Sequence, residues 1–466
     1  MKSQTSRRDF LKAASLGMAG LAIGSTASSH ARAEVLPAPG PLKNAAPNDQ
    51  IQLATIGMGI IGYIDTQTAL QVPGVKLVAA ADCYDSRLAH AKEVFGKDVF
   101  TTRKYEEILE RPDVDAVIIS VPDHWHSRIA MDAMQAGKAV YNEKPMVQDL
   151  EDGPQVIATQ KKTGRVFQVG SQYASSILYA KANELYKSGA IGKLNLVEAR
   201  NNRNSSIGAW QYSIPPDASP KTIDWERFLG DAPKRPFDPV RFFRWRNYRD
   251  YGTGIPGDLY VHLFTGIHRV LDSHGPSTIA STGGIRYWHD GRDVPDIMVG
   301  MCGYEESDTH PEFTVSLLTN FEDGSNSGSL FRFIGDEGAI EISYDSVTLT
   351  RAPRRDPGQY EVLQGYNSVR TWSEAVQKEF AKEWRAKQQR AVSPPMNESV
   401  TYKAPDGYDD RFDHFTYFFD SIRNGTPVRE DAVYGLRAAA PALLTNTAYF
   451  EKRIVHWDPE RMELKS

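Results

Sequence analysis

Apolar positions follow two different rhythms along this chain. From residue 51 onward, short apolar runs alternate with stretches whose apolar residues recur at three- and four-residue spacing. The runs 51–56, 76–81, 116–121, 139–142 and 166–169 predict strands. Helices are predicted over 87–95, 105–110, 127–136 and 150–163, with another opening near Gly62. Ala116–Val121 shows no polar alternation, as expected of a strand covered on both faces. This succession predicts a doubly wound parallel sheet with right-handed crossovers over residues 50–170.

After Gly170 the rhythm changes. A helix over 177–188 and a strand over 193–201 precede an aromatic, proline-rich insertion, 205–256, that reads as loops with short helices. A helix over 257–271 follows. Strands then recur from 278 to 350 with little helix between them, 312–320 and 329–334 among them. That run predicts a large, mostly antiparallel open sheet, so residues 171–466 should form an α+β domain. The charged stretch 351–404 reads as irregular surface, and helices over 409–424 and 431–451 close the chain.

Chemistry enters at the first strand, which runs into Gly57-Met58-Gly59-Ile60-Ile61-Gly62. A glycine triplet at this spacing is weak evidence alone. Here it follows a strand, opens a helix and precedes a second strand ending in Asp82, which is the Rossmann pattern. Gly57 permits the tight turn, Gly59 lets backbone approach a pyrophosphate, and Gly62 lets helix and strand close up. Ile60 and Ile61 open the helix whose free N–H groups favour the phosphates. Asp82 is placed to accept from ribose hydroxyls and would repel a 2′-phosphate. NAD is therefore expected, with NADP kept open by the nearby Arg87.

The chain's start changes the setting. Ser6-Arg7-Arg8-Asp9-Phe10-Leu11-Lys12 looks like a twin-arginine export signal, and residues 16–23 form an apolar run too short to span a bilayer. Ala31-Arg32-Ala33 reads as a cleavage site, so residues 1–33 are expected to be a signal peptide and the mature protein periplasmic or secreted, with no membrane partner. The proline-rich residues 34–49 read as an extended arm. A net charge of −5 over 466 residues argues against nucleic-acid binding. Only Cys83 and Cys302 occur, and they read as buried free thiols rather than a disulfide framework.

At the end of a later strand stands Tyr141-Asn142-Glu143-Lys144-Pro145, where an open α/β sheet binds ligands. With Val121-Pro122-Asp123-His124-Trp125-His126 and the terminal Ile422-Arg423-Asn424-Gly425-Thr426-Pro427, this run resembles the Gfo/Idh/MocA family of sugar dehydrogenases and their relatives. The resemblance implies a nicotinamide cofactor on the first domain and a carbohydrate held against the second domain's sheet. Lys144 matches the family's catalytic lysine. A lysine partly desolvated beside a cationic nicotinamide is usable as a base. Glu143, Pro122, His124 and His126 match positions bordering the cofactor, and no metal is predicted, because His-x-His lacks a carboxylate or cysteine companion.

The family's Asp and His one helical turn apart match Asp258 and His262, which i, i+4 spacing puts on one helix face. His262 is then a candidate acid or base and Asp258 a polar contact to substrate or Lys144. His268 reads as a core histidine. The insertion's Trp210, Tyr212, Trp225, Phe242, Phe243, Trp245, Tyr248 and Tyr251, interleaved with Arg241, Arg244, Arg246 and Arg249, suit either sugar stacking or a small core. Gln172-Tyr173 stands where the family often carries basic residues, which weakens the case for an acidic sugar; Arg200 and Arg203 keep it alive. The resemblance further implies a homodimer or homotetramer formed through the open sheet.

Three readings follow. The first is an exported oxidoreductase acting on a sugar or glycoside hydroxyl with tightly held NAD(H). The second is an NAD-dependent glycosidase working by transient oxidation, elimination, water addition and re-reduction. The third, a non-catalytic sugar-binding descendant, sits poorly with Lys144, Asp258 and His262 all being present.

Overall fold

The computed structural model describes residues 31–37, 50–325, 330–352, 359–388 and 398–465. The twin-arginine stretch, the apolar run after it and the arm residues 38–49 lie outside the described residues. No helix among the described residues is long and apolar enough to cross a membrane.

The first sheet has six strands in the order β4-β3-β2-β5-β6-β7. They are β2 (Ile51–Ile56), β3 (Val75–Ala81), β4 (Phe100–Thr102), β5 (Ala116–Ile119), β6 (Ala139–Glu143) and β7 (Phe167–Gly170). Every pairing is parallel. All four residues of β5 and all five of β6 are buried, which is why their sequence shows no alternation. Helices Ile60–Ala69, Asp85–Phe95, His126–Gln135 and Gly153–Thr163 make the crossovers.

One face of this sheet is completed from far along the chain. Helix Asp410–Asn424 sets Phe415, Phe418 and Phe419 against Ile51, Leu53, Ile118 and Tyr141. Burying each ring is worth roughly 1.5–3 kcal/mol. His414, on the same helix, is tied by Nε2 to the Val169 carbonyl at 2.7 Å, and the Gln168 side chain donates to the His414 carbonyl at 2.8 Å.

The second sheet has eleven strands in the order β1-β15-β14-β13-β12-β8-β11-β10-β9-β16-β17. Its centre is β8 (Leu194–Arg200), β9 (Thr278–Gly284), β10 (Ile297–Tyr304), β11 (Phe313–Asn320) and β12 (Phe331–Gly335); β13 (Gly338–Ile342), β14 (Ser346–Arg351) and β15 (Glu398–Lys403) extend one side, and β16 (Val455–Asp458) and β17 (Glu463–Leu464) the other. β8 and β11 run parallel, while the neighbouring central pairs are antiparallel. Phe313, Val315 and Leu317 of β11 point inward while Thr314, Ser316 and Leu318 point out, giving the period-two pattern of a half-covered sheet. Helices Val261–Leu271 and Ala432–Glu451 supply the buried cover.

Two sequence readings need correction. The stretch 351–404 is not irregular throughout. Glu374–Gln388 is a fifteen-residue helix, rich in Ala, Glu, Lys and Arg, the strongest helix formers, and its many charges masked a sparse apolar stripe. It lies in a compact unit of its own with residues 359–371. The start of the arm is an edge strand: β1 (Ala31–Val35) lies beside β15, and the Leu36 N–H donates to the Lys403 carbonyl at 2.8 Å. Both cysteines are free; Cys302 is buried and Cys83 half-buried.

Candidate active site

The glycine turn is held from both sides. The Gly57 N–H donates to the Ala81 carbonyl and the Ser120 N–H to the Ile56 carbonyl, each at 2.8 Å. Gly57 has φ +93°, and a Cβ there would lie 2.5 Å from the Ser120 oxygen. A Cβ on Gly62 would fall 1.9 Å from the Gly57 oxygen, so the turn folds tightly on itself. At Gly59 the atoms nearest a Cβ are those of the Arg87 guanidinium, at 3.8 Å, which leaves a cradle a side chain would fill. Gly59 caps helix Ile60–Ala69 without a side-chain bond, so the helix's first N–H groups stay available to an anion. These residues fit a dinucleotide pyrophosphate. Asp82 accepts from the Met58 N–H at 2.8 Å and the Tyr84 N–H at 2.9 Å, with Arg87 at 3.4 Å.

The same crevice runs from this turn past Pro122 to Glu143, Lys144, Asp258 and His262. Lys144, at the carboxyl end of β6, donates from Nζ to Asp258 Oδ1 and to the Asp258 carbonyl, both at 3.0 Å. Asp258 does not sit in a regular α-helix. Pro256–Tyr260 is a π-helical turn, continuing as α-helix from Val261. Such i→i+5 turns concentrate at functional sites. Gly257 permits the tight start, since a Cβ there would meet Thr253 Oγ1 at 1.9 Å.

Three cations converge on one carboxylate. Arg246 Nε reaches Asp258 Oδ1 at 3.0 Å, and Arg203 Nη2 stands 4.0 Å from Oδ2. Burial alone would raise the Asp258 carboxyl, but Lys144, then Arg246 and Arg203, outweigh it and hold it well below the ordinary carboxylate value. His262 is pushed well below 6.5 by burial, reinforced by the charge on Lys144. It is therefore neutral near pH 7, able to accept a proton, and its Nδ1 is buried without a partner.

Beneath these groups, Asp65 and Glu143 form a buried acid pair. Burial and then mutual repulsion raise Asp65; burial raises Glu143 against the pull of Lys144 and Arg411. Arg411, from helix Asp410–Asn424, lies 3.4 Å from Asp65 and reaches the crevice wall.

His124 and His126 do not face the crevice. His124 Nε2 bonds the Phe228 carbonyl at 2.8 Å, and His126 lies between the Pro145 and Val121 carbonyls at 2.6 and 2.9 Å. Both brace loops, because a ring bonded at both nitrogens to backbone has nothing left for a ligand. Gly62 likewise serves the turn's closure rather than its wall. His268 is core, with Nε2 3.2 Å from the Tyr304 hydroxyl.

The insertion divides its aromatics between the two expected roles. Trp225, Phe228, Tyr248 and Tyr251 belong to a buried core, and Trp210 packs edge-on against Phe321. Tyr212 and Trp245 line the crevice, while Phe228, Phe242 and Phe243 belong to the core and line the crevice as well. The insertion also straps the nucleotide end. Ile223 bridges Tyr84 in antiparallel fashion, Asp224 N–H donates to the Cys83 carbonyl at 2.8 Å, and Arg103 joins Asp85 at 2.7 Å and the Lys221 carbonyl at 3.0 Å. Arg227 pairs with Glu106 at 2.9 Å. Arg203 was visible in the sequence as a possible partner of an acidic sugar, and Arg246 only as one of the insertion's interleaved arginines. Arg411 carried no signal at all.

Comparison with known proteins agrees with this geometry. Residues 51–171 match the Gfo/Idh/MocA oxidoreductase family, NAD-binding Rossmann fold. The scyllo-inositol 2-dehydrogenase (NAD(+)) of Bacillus subtilis (strain 168) is 33% identical over 145 residues, covering 31% of this chain and 42% of that protein. The alpha-N-acetylgalactosaminidase of Shewanella oneidensis (strain MR-1) is 33% identical over 170 residues, covering 34% of this chain and 37% of that one. The chain thus spans about two fifths of the length of the curated relatives it matches. The fold as a whole is shared with a levoglucosan dehydrogenase solved with NADH and levoglucosan, at TM-score 0.63 and 17% identity over 87% of this chain and 99% of that one.

Proposed function

We propose that this protein is an NAD-dependent oxidoreductase acting on a hydroxyl of a sugar or glycoside, with its cofactor retained between turnovers. The observation that carries the reading is the Lys144–Asp258 pair at 3.0 Å, set with His262 in the crevice that begins at the glycine turn. NAD, when bound, supplies hydride acceptance. Gly57, Gly59, Ile60, Ile61 and Asp82 would hold it, with Pro122 and Glu143 bordering its reactive end. Asp258 fixes the Lys144 ammonium group by two hydrogen bonds, so that Nζ meets the reacting hydroxyl in one orientation. The hydroxyl proton passes to the neutral ring of His262, while the Lys144 ammonium donates a hydrogen bond to the hydroxyl oxygen. Tyr212 and Trp245 offer apolar faces to the sugar. The relatives' names, an inositol dehydrogenase and a galactosaminidase, support a polyol or sugar substrate.

A second reading, redox-neutral glycoside hydrolysis, is favoured by the strap. A nucleotide end tied down by Arg103, Arg227 and Tyr84 suits a cycle that ends in the redox state in which it began. Products separate the two. Incubating purified protein with a panel of sugars and glycosides should yield keto-sugar with a reduced acceptor under the first reading, or free sugar with no net oxidation under the second. Absence of nicotinamide absorbance in the purified protein, together with failure to bind added NAD, would sink both.

Export by the twin-arginine route belongs to the same proposal, supported by the leader sequence and by that route's carriage of folded proteins. Cell fractionation with and without Arg7-Arg8 tests it. Assembly as a dimer or tetramer through the open sheet is tested by sedimentation.

A further inference from the structure

The reaction end of the crevice gathers cations whose hydrogen-bonding capacity is not used up. Lys144, Arg246 and Arg203 all face the Asp258 carboxylate, with the buried acids Glu143 and Asp123 also acting on Lys144 and Arg246. Arg411 is engaged elsewhere, with Asp65. Arg246 spends Nε on Asp258, but its two terminal nitrogens have no hydrogen-bond partner among the described residues. Its guanidinium rests over the Trp245 ring at 4.2 Å with its side chain 22% exposed, which leaves the fork partly desolvated and rigid. Arg203 uses Nη1 on the Gly208 carbonyl at 2.8 Å, while Nη2 stops 4.0 Å short of Asp258. Both guanidinium edges therefore open on the space beside Tyr212 and Trp245, and both arginines line the crevice.

A neutral sugar would leave those open guanidinium edges without a charged partner. Unpaired charge in a partly buried site is costly, whereas a carboxylate meeting a guanidinium fork makes two short, charge-assisted bonds. We propose that the substrate is an acidic sugar, a hexuronic acid or its glycoside, whose carboxylate is taken by the open edges of Arg246 and Arg203 while its ring stacks on Tyr212 and Trp245. The assignment rests on the oxidoreductase reading and narrows its substrate class. It agrees with the part of the sequence reading in which Arg203 kept an acidic sugar open despite Gln172, with Arg246 of the insertion as the second cation.

The test is calorimetric titration of the full-length, cofactor-loaded protein with methyl β-D-glucuronide against methyl β-D-glucoside, and with the matching galacto pair. At least one uronide should bind about tenfold or more tightly than its neutral counterpart at low salt, and the ratio should shrink in about 0.5 M salt as screening shortens to a few ångströms. R246Q and R203Q should each lower the ratio by about fivefold or more, with cofactor absorbance and circular dichroism reporting that the variants are folded. Neutral glycosides binding as well as uronides, a ratio unmoved in both folded variants, or stronger binding of glucose 6-sulfate would overturn the carboxylate assignment. The wild-type ratio needs no variant to be read. Oxidation of neutral glycosides with uronides ignored sinks this assignment alone, whereas silence toward all four glycosides sinks it along with the reading beneath it.

Discussion

The two ends of the crevice are built on opposite principles. At the nucleotide end most charged side chains have partners before any ligand arrives, while the first N–H groups of helix Ile60–Ala69 stay free for phosphate. Asp82 accepts two backbone N–H groups, Arg103 and Arg227 are paired, and the insertion's backbone is bonded to the loop after β3. At the reaction end partners are missing. His262 Nδ1 and the terminal nitrogens of Arg246 are buried or confined without hydrogen bonds. A satisfied region is stable and grips by shape. An unsatisfied one keeps electrostatic free energy in reserve, which is available to a substrate that pairs those groups.

That contrast can be broken, and the largest effect should come at the reaction end. Lys144→Ala should lower turnover by about a thousandfold or more while bound NAD remains, measured by product formation and by nicotinamide absorbance on the same sample. Equal loss of cofactor would mean that the two ends are not separable. Gly57→Ala should do the reverse. Its Cβ, 2.5 Å from the Ser120 oxygen at φ +93°, forces the turn open, and NAD affinity should weaken by about a hundredfold. Fluorescence titration that found affinity intact would remove the turn from the cofactor site.

A smaller effect comes from pH. His124, which ties the loop ahead of helix His126–Gln135 to the strap, is pushed down to about 4 by burial, against the pull of two carbonyls. Its folded value lies below the ordinary 6.5, so its contribution is complete above pH 6.5 and is lost as pH falls toward 4. Wild type should therefore lose about 2 kcal/mol relative to His124→Asn between pH 7 and 4.5, read by urea unfolding. His262, neutral already, should show no imidazole titration by NMR between pH 6 and 8. The smallest effect is at the strap's exposed ion pairs. Arg103→Ala with Arg227→Ala should speed NAD release by about fivefold, since such pairs contribute under about 1 kcal/mol each. Unchanged release would leave retention to the aromatics Phe242 and Phe243 alone.

Much of the site could be read from local pattern. Gly57 and Gly62 announce their turn because no Cβ fits there, Gly59 because a side chain would fill the cradle, and Glu143-Lys144-Pro145 stands at a strand end where ligands gather. Asp258 and His262 were correctly paired by spacing, although the turn that presents them is π-helical rather than α-helical. His124 and His126 misled, because a histidine's residue type reads the same whether its nitrogens face a ligand or two backbone carbonyls. The even division over the insertion's aromatics ended as a real division: some are core, some are wall and some are both.

The amino-acid sequence by itself determined the order of strands and helices, the dinucleotide turn and the lysine beside it, since each depends on residues close together in the chain. Which cations surround Asp258, which helix covers the first sheet, and which loop closes over the nucleotide end were decided only in three dimensions. Arg203, Arg246 and Arg411 come from separate elements, and charge acts through space with no memory of chain distance. Packing of the two sheets brings Arg203 and Arg246 to one carboxylate and all three arginines to one crevice, and no local pattern encodes that meeting.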